Sequence, residues 1–306
     1  MKIAALAGGV GGAKLVDGLA QILPPEDLSI IVNTGDDFEH LGLFICPDLD
    51  TVCYTLAGLA NRDTGWGRRE ETFNLLENLQ KLGGPSWFQL GDKDAGTHLE
   101  RTRRLIGGQI LSQITAEFCR AWGVRQTILP MTDQTVHTMV DTIEYGELAF
   151  QDYFVQRKCI PRVKGFRFDG IEFANPAPGV LEAIYKADAV VICPSNPWVS
   201  IDTILGIPGV CPALSTKTVV AVSPIIGGQT VKGPAAKMFL ELGLLPSALT
   251  VAEHYGDLLS GFILDNVDSD LADLFSIPTV FANIFMKTHE DRINLAQDVL
   301  HLIRAL

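Results

Sequence analysis

Six short runs of this chain are almost continuously apolar and end in small or polar residues, and no other feature constrains the fold as much. They are "KIAALA" (residues 2–7), "LSIIVN" (28–33), "ADAVVICPSN", "TVVAVSPIIGG", "SGFILD" and "PTVFAN". A strand with one wet face alternates apolar and polar residues. A run apolar throughout is buried on both faces, as in parallel sheets covered by helices. The chain therefore reads as α/β, with a doubly wound, mostly parallel, Rossmann-like sheet.

Between the second and third runs the pattern changes. "ETFNLLENLQKL", "THLERTRRLIG" and "ILSQITAEFCRAW" carry helical spacing between Gly-Gly and Gly-Pro breaks, whereas residues 135–173 show β-branched and aromatic runs broken by Tyr-Gly and Asp-Gly. The expected organisation is a nucleotide-binding core of residues 1–61 and 174–306. Residues 62–173 then form an insertion with helices and a small antiparallel β segment. At 306 residues and 47% hydrophobic composition the chain can bury such a core.

Composition excludes several classes. The formal net charge is -12, which disfavours a general nucleic-acid surface, since that needs clustered Lys and Arg to displace counterions. Cys46, Cys53, Cys119, Cys159, Cys193 and Cys211 are scattered, with no C-x-x-C pair, so they read as reduced thiols and not as a zinc site or disulfide framework. No apolar run reaches the length of a membrane span. The N-terminus opens on a strand without a targeting segment, and a cytoplasmic location is expected.

"ALAGGVGGAKLVDGLAQIL" joins the first strand to an amphipathic pattern of Leu15, Leu19 and Ile22. Glycines there allow positive φ and close approach of a ligand, and a helix N-terminus offers unpaired N–H groups to an anion. The dinucleotide pattern G-x-G-x-x-G fails because Lys14 stands where the third glycine belongs. The P-loop pattern also fails: Leu15 follows Lys14 where a metal-binding hydroxyl is required. Phosphate binding by Gly8, Gly9, Gly11, Gly12 and Lys14 remains the expectation.

In open α/β sheets ligands bind beyond the carboxyl ends of the strands, so the segments after the apolar runs carry the candidates. "NTGDDFEHLGLFICPDLDT" gathers Asp36, Asp37, Asp48 and Asp50 within fifteen positions. Carboxylates facing a phosphate site suit Mg²⁺, held by one or two of them with substrate phosphates and water, or one serves as base. Turn and cap roles compete, with Asp50 read as the N-cap of a helix starting near Thr51. "SNP" offers Ser195 and Asn196, and "SPIIGGQTVKGPAAK" offers Gly227, Gly228, Lys232 and Lys237. "WFQLGDKDAGTH" supplies an aromatic wall of Trp87 and Phe88 and a ligand loop ending at His98. Met131, Thr132 and Asp133 point to the same rim after a strand, and Arg101, Arg103 and Arg104 read as a solvated helix face, with the alternative that one of them turns to an anion.

These blocks, with "TGWG", "PRVKGFRF", "PAPGVLEAI", "CPSNPWVSIDTILGIPG" and "KGPAAKM", run over nearly the whole chain. Together they resemble the CofD family, the 2-phospho-L-lactate transferases of coenzyme F420 biosynthesis. The resemblance implies a donor that is a guanosine diphosphate ester of lactate or enolpyruvate, and an acceptor that is the deazaflavin FO. The ribityl hydroxyl of FO attacks the phosphorus nearer the lactyl or enolpyruvyl group, and GMP leaves. It implies Mg²⁺, a homodimer, and small-molecule substrates without nucleic acid or membrane.

The implied roles divide the candidates. FO falls against Asp50, Trp87, Gln89, Thr97, His98, Met131 and Thr132. The nucleotide and its phosphates fall on Gly8, Gly9, Gly11, Gly12, Lys14, Asn33, Ser195, Asn196, Gly227 and Gly228. Asp36, Asp37 and Asp48 hold the metal, with Asp50, Asp37 and Asp36 as the catalytic carboxylates. The chain departs from the family pattern at Gln89 and His137, where relatives often carry basic residues. The alternative is a YvcK-like nucleotide-sugar-binding regulatory protein, but that group resembles "ADDGGSSG" where this chain has "NTGDDFEHLGL". An NAD-dependent oxidoreductase is disfavoured by Asn33, which stands where a ribose-binding acid is expected.

Overall fold

Successive residues of the first strand, β1 (Ile3–Ala7), enter opposite cores: Ala4 and Leu6 pack on one side, Ile3, Ala5 and Ala7 on the other. The same split recurs in β2 (Leu28–Val32) and in the strand Ala189–Ile192. Apolar residues at every position are thus what a sheet covered on both faces requires. A computed structural model describes residues 1–231 and 233–306; Lys232 lies outside the described residues.

The central sheet has seven parallel strands. With β3 (Thr127–Pro130), β4 (Ala189–Ile192), β5 (Thr218–Val222), β6 (Gly261–Asp265) and β7 (Thr279–Ala282), the spatial order is β7-β6-β5-β4-β1-β2-β3. The chain winds from β1 through β2 to β3 on one side, then returns to β4 on the other side of β1. The topological switch point therefore lies between β1 and β4, where the connections diverge and leave a crevice at the carboxyl ends.

All six apolar runs are strands of this sheet. The seventh strand, Thr127–Pro130, pairs with β2 in register Ile30 to Ile128, so residues 62–173 do not leave the core as one block. Its predicted helices lie at Asn74–Lys81, Asp92–Ile106 and Leu111–Ala121. The antiparallel segment is three-stranded, with His137–Thr142 between Gly146–Ala149 and Val163–Asp169.

Helix α1 (Gly9–Ile22) packs against α2 (Pro47–Leu56) and the C-terminal helix His289–Ala305. Gly18 allows the second contact, because a Cβ there would lie 2.1 Å from the carbonyl oxygen of Arg292. No helix among the described residues is long and apolar enough to cross a membrane.

Candidate active site

A cleft of about 770 Å³ opens at the switch point, within the size range of small-molecule sites. Its glycine end is built by Gly8, Gly9, Val10 and Gly11 after β1 and by Pro194, Ser195 and Asn196 after β4. The two turns interlock. The Gly8 N–H donates to Ser195 Oγ at 3.1 Å, and that hydroxyl donates to the Gly8 carbonyl at 2.7 Å. A Cβ on Gly11 would lie 2.1 Å from the Pro194 carbonyl oxygen, so no other residue fits this crossing. Gly9 has φ 59, which glycine adopts without penalty. Gly12 serves packing: it sits against Ser195 and Ala7 and is absent from the cleft lining.

Lys14 reaches from the first turns of α1 to the Met286 carbonyl, 2.7 Å away, and lines the same end. Gly227 and Gly228 do not line it. The Gly227 N–H is taken by Asp268, at 3.1 Å from each carboxylate oxygen, and Ile226 contributes the lining in their place. Lys237 is occupied as well, by Glu241 and the Pro161 carbonyl.

The acids of the second loop separate into two groups. Pro47 starts α2 at its first position, the place where proline's missing N–H costs nothing. The helix thus begins earlier than expected, and Asp48 and Asp50 lie in its first turn; Asp50 is not the N-cap. Asp48 faces the start of α1 and accepts from Asn33 Nδ2 at 3.0 Å. Burial pushes its carboxyl up to about 6. Asp36 also lines the cleft, and burial, then the neighbouring Asp48, hold it well above the usual carboxylate range. Asp37 is raised by burial too but lies behind the lining. Asn33 is fully buried between Asp48, Gly35 and the Val199 carbonyl, so it brackets Asp48 and does not face a ligand.

Asp50 belongs to the second group. Arg101, predicted on a solvated face, is only 2% exposed and grips both oxygens of Asp50, Nη2 on Oδ1 and Nη1 on Oδ2 at 3.0 Å. Burial alone would lower the guanidinium's proton affinity, but Asp50 outweighs it and holds Arg101 charged. Arg103 does lie on the surface, paired with Glu100, whereas Arg104 is half-buried between Glu100 and Glu117. His98 sits beside this pair, and Asp94 accepts from the Tyr54 hydroxyl at 2.6 Å. Burial works to raise Asp94, but nearby His98, Tyr54 and Arg101 hold it below its ordinary value. Asp50, Asp94 and His98 bring ligand atoms within 4.8 Å of one another, yet the guanidinium already occupies Asp50.

Trp87 and Phe88 form the predicted wall, braced by the hairpin Phe38–His40 and Leu43–Ile45. His40 meets Trp87 edge-on at 4.9 Å, and Phe38 meets Phe88 edge-on at 5.1 Å. Gln89 lines the cleft beside them. Met131 and Thr132, predicted on the rim, are fully buried. The first belongs to the core and the second donates to the Asn175 carbonyl at 2.7 Å. Asp133 caps a helix through Ser112, Thr97 is buried outside the lining, and His137 stands opposite Asp169 in the antiparallel sheet.

Other lining residues had not been singled out, although Asp94 falls within the predicted ligand segment ending at His98. Tyr54 and Asp94 stand four residues after Asp50 and four before His98 on their helices, the spacing that puts side chains on one face. Phe150, Gln151, Phe154 and Lys158 form a third wall, with the two phenyl rings stacked at 5.4 Å.

Residues 3–274 match the family model described as "2-phospho-L-lactate transferase CofD". The chain belongs to the CofD family. A phosphoenolpyruvate transferase of Streptomyces coelicolor is 46% identical over 277 residues, covering 88% of this chain and 87% of that protein. A 2-phospho-L-lactate transferase of Methanosarcina acetivorans is 40% identical over 302 residues, covering 97% of each. The fold also occurs in a crystal structure of a UPF0052 family member from Bacillus halodurans, with TM-score 0.66, 17% identity and 98% coverage of both chains. As a member of the CofD family the chain is a transferase.

Proposed function

We propose that this CofD family member transfers the phospholactyl or phosphoenolpyruvyl moiety of a guanosine diphosphate ester to the ribityl hydroxyl of FO. The product is coenzyme F420-0 or its dehydro form, and GMP is released. One observation carries the reading: a single cleft joins the glycine turns to the aromatic wall and passes Asp36 and Asp48 on the way. A donor with two phosphates and a flat aromatic acceptor need such ends with charge control between them.

In this reading the diphosphate lies along Val10 and Gly11, whose first-turn N–H groups have no partner further up the helix, with Lys14, Ser195 and Asn196 around it. FO stacks at Trp87, with Asp50, Gln89 and His98 on its polar edge. Positioning and charge neutralisation are the main tasks in phosphoryl transfer. The hydroxyl oxygen forms a bond to the phosphorus nearer the lactyl or enolpyruvyl group, the bond from that phosphorus to the bridging oxygen breaks so that this oxygen leaves with GMP, and the hydroxyl proton leaves to a carboxylate.

The residues present fit a divalent cation. Asp36 and Asp48 are buried, Asp48 raises the cost of ionising Asp36, and Asp36 Oδ1 has no hydrogen-bond partner. They would hold Mg²⁺ with donor phosphates and water, and the ion would supply neutralisation of the phosphate charge. Asp50, with both oxygens on Arg101, is an acceptor of hydrogen bonds and not the base. A cleft carboxylate oxygen left uncoordinated takes the proton. We include a homodimer in the proposal, to be checked by light scattering.

The test is a transfer assay with FO, Mg²⁺ and each donor ester in turn, followed by mass spectrometry. A phosphorylated deazaflavin formed with one donor establishes the reaction and its donor. FO and GMP binding without product from either donor would refute it. Full turnover after exhaustive chelation would remove the metal.

A further inference from the structure

We infer that Arg101 is a positioning residue that sets the hydrogen-bond polarity of the aromatic end of the cleft, fixing Asp50 as an acceptor and His98 as a donor through Nε2. It stands behind the cleft lining, whereas Asp50, Asp94 and His98 are all in it.

The argument begins with what a guanidinium can do. It has five N–H donors and no acceptor. Two groups face His98 Nδ1: Arg101 Nη1 at 3.2 Å and Asp50 Oδ2 at 3.5 Å. The nearer one can only donate, and Asp50 Oδ2 already accepts from that same Nη1 at 3.0 Å, so we assign Nδ1 as the bare, accepting nitrogen and place the ring hydrogen on Nε2. That nitrogen is buried and makes no full hydrogen bond: Asp94 Oδ1, at 3.5 Å, is close enough to feel the ring but already accepts from the Tyr54 hydroxyl at 2.6 Å. Unsatisfied buried donors are rare in folded proteins. Here the orphan belongs to a residue of the lining, next to a carboxylate whose place is set by the same guanidinium.

The pair therefore offers a ligand one acceptor and one donor of fixed sense. That arrangement complements a heterocycle edge on which an N–H and a carbonyl oxygen are neighbours, as in an imide. This step rests on the proposed placement of FO at the aromatic end; the tautomer of His98 does not.

Two readouts keep these apart. In the full-length protein labelled with ¹⁵N-histidine, His98, assigned by its loss in His98→Gln, should show a bare-type Nδ1 and a protonated-type Nε2. Arg101→Met should abolish that fixed pattern, and Arg101→Lys should retain part of it. A wild-type His98 protonated on Nδ1 alone would overturn the inference.

For binding, FO fluorescence should report an affinity about tenfold to a hundredfold weaker in Arg101→Met, the size of a lost hydrogen bond to a charged group. GMP affinity should stay unchanged. His98→Gln and His98→Asn decide the case if Arg101→Met fails to fold, because the amide nitrogen of Gln reaches where Nε2 was and that of Asn where Nδ1 was. The Gln variant should keep FO affinity and the Asn variant lose it; the reverse order would overturn the inference. A fixed tautomer with FO affinity unmoved in Arg101→Met, His98→Asn and Asp50→Asn would support Arg101's hold on His98 and refute the placement of FO.

Discussion

Replacing Asp48 with Asn should make the protein more stable at pH 8 and less stable at pH 4. A buried carboxyl raised from 3.8 to about 6 costs the ionised folded chain about 3 kcal/mol, at about 1.4 kcal/mol per tenfold change in proton affinity. The unfolded chain gives up this proton near the ordinary value and the folded chain only near 6. Between those points the folded state binds more protons at this site, so the contribution of Asp48 to stability is greatest at low pH and falls as pH rises through its folded value near 6. The amide removes that slope. It can accept from Asn33 as Asp48 does but cannot also accept from the Gly9 N–H, a loss of about 1 kcal/mol. The net expectation is a gain of about 2 kcal/mol at pH 8 and a loss of about 1 kcal/mol at pH 4. Urea denaturation of both proteins in chelator at the two pH values measures it, with transfer activity expected to vanish in the variant. A stability difference that does not change with pH would refute the reasoning, since it would mean that Asp48 titrates alike in both states.

Gly11→Ala should destabilise by about 1–3 kcal/mol, because its Cβ would meet the Pro194 carbonyl oxygen at 2.1 Å. Gly96→Ala, on an open face of the helix Asp92–Ile106, should stabilise by about 0.5–1 kcal/mol. Equal effects in urea titrations would show that the crossing at Gly11 yields freely. Trp87→Ala should weaken FO binding about fivefold or more, losing about 1 kcal/mol of ring contact, with GMP binding intact; fluorescence titration reads both, and an unchanged FO affinity would move FO off this wall. Lys14→Ala should raise the KM for the donor ester more than that for FO, and equal changes would leave Lys14 the role of tying α1 to the Met286 carbonyl.

Apolar runs on both faces made the sheet legible, because burial of a strand is written along its own length. What faces a strand's end is not. Met131 and Thr132 follow β3 as Ser195 and Asn196 follow β4, yet β3 is the sheet edge, far from the switch point, and its exit is buried. Strand order decides that difference, and order depends on long-range pairing. Arg101 looked like its neighbours Arg103 and Arg104, since the face of a helix that meets Asp50 is set by how that helix docks. Pro47 did mark the true start of α2, and the four-residue spacings from Asp50 to Tyr54 and from Asp94 to His98 were available signals. Asn33 was placed correctly at the end of β2, but its partner, Asp48, comes from the next helix.

The switch point leaves the two ends of the cleft to different stretches of chain. The aromatic end draws on residues 38–98 and the glycine end on the turns after β1, β4 and β5. With FO placed at the aromatic end as proposed, acceptor choice becomes a graftable property. Under that placement, exchanging residues 38–101 between family members, which moves the wall with its bracing hairpin and Asp50 with Arg101 together, is expected to carry a preference for one heterocycle over another into a framework that keeps its glycine turns.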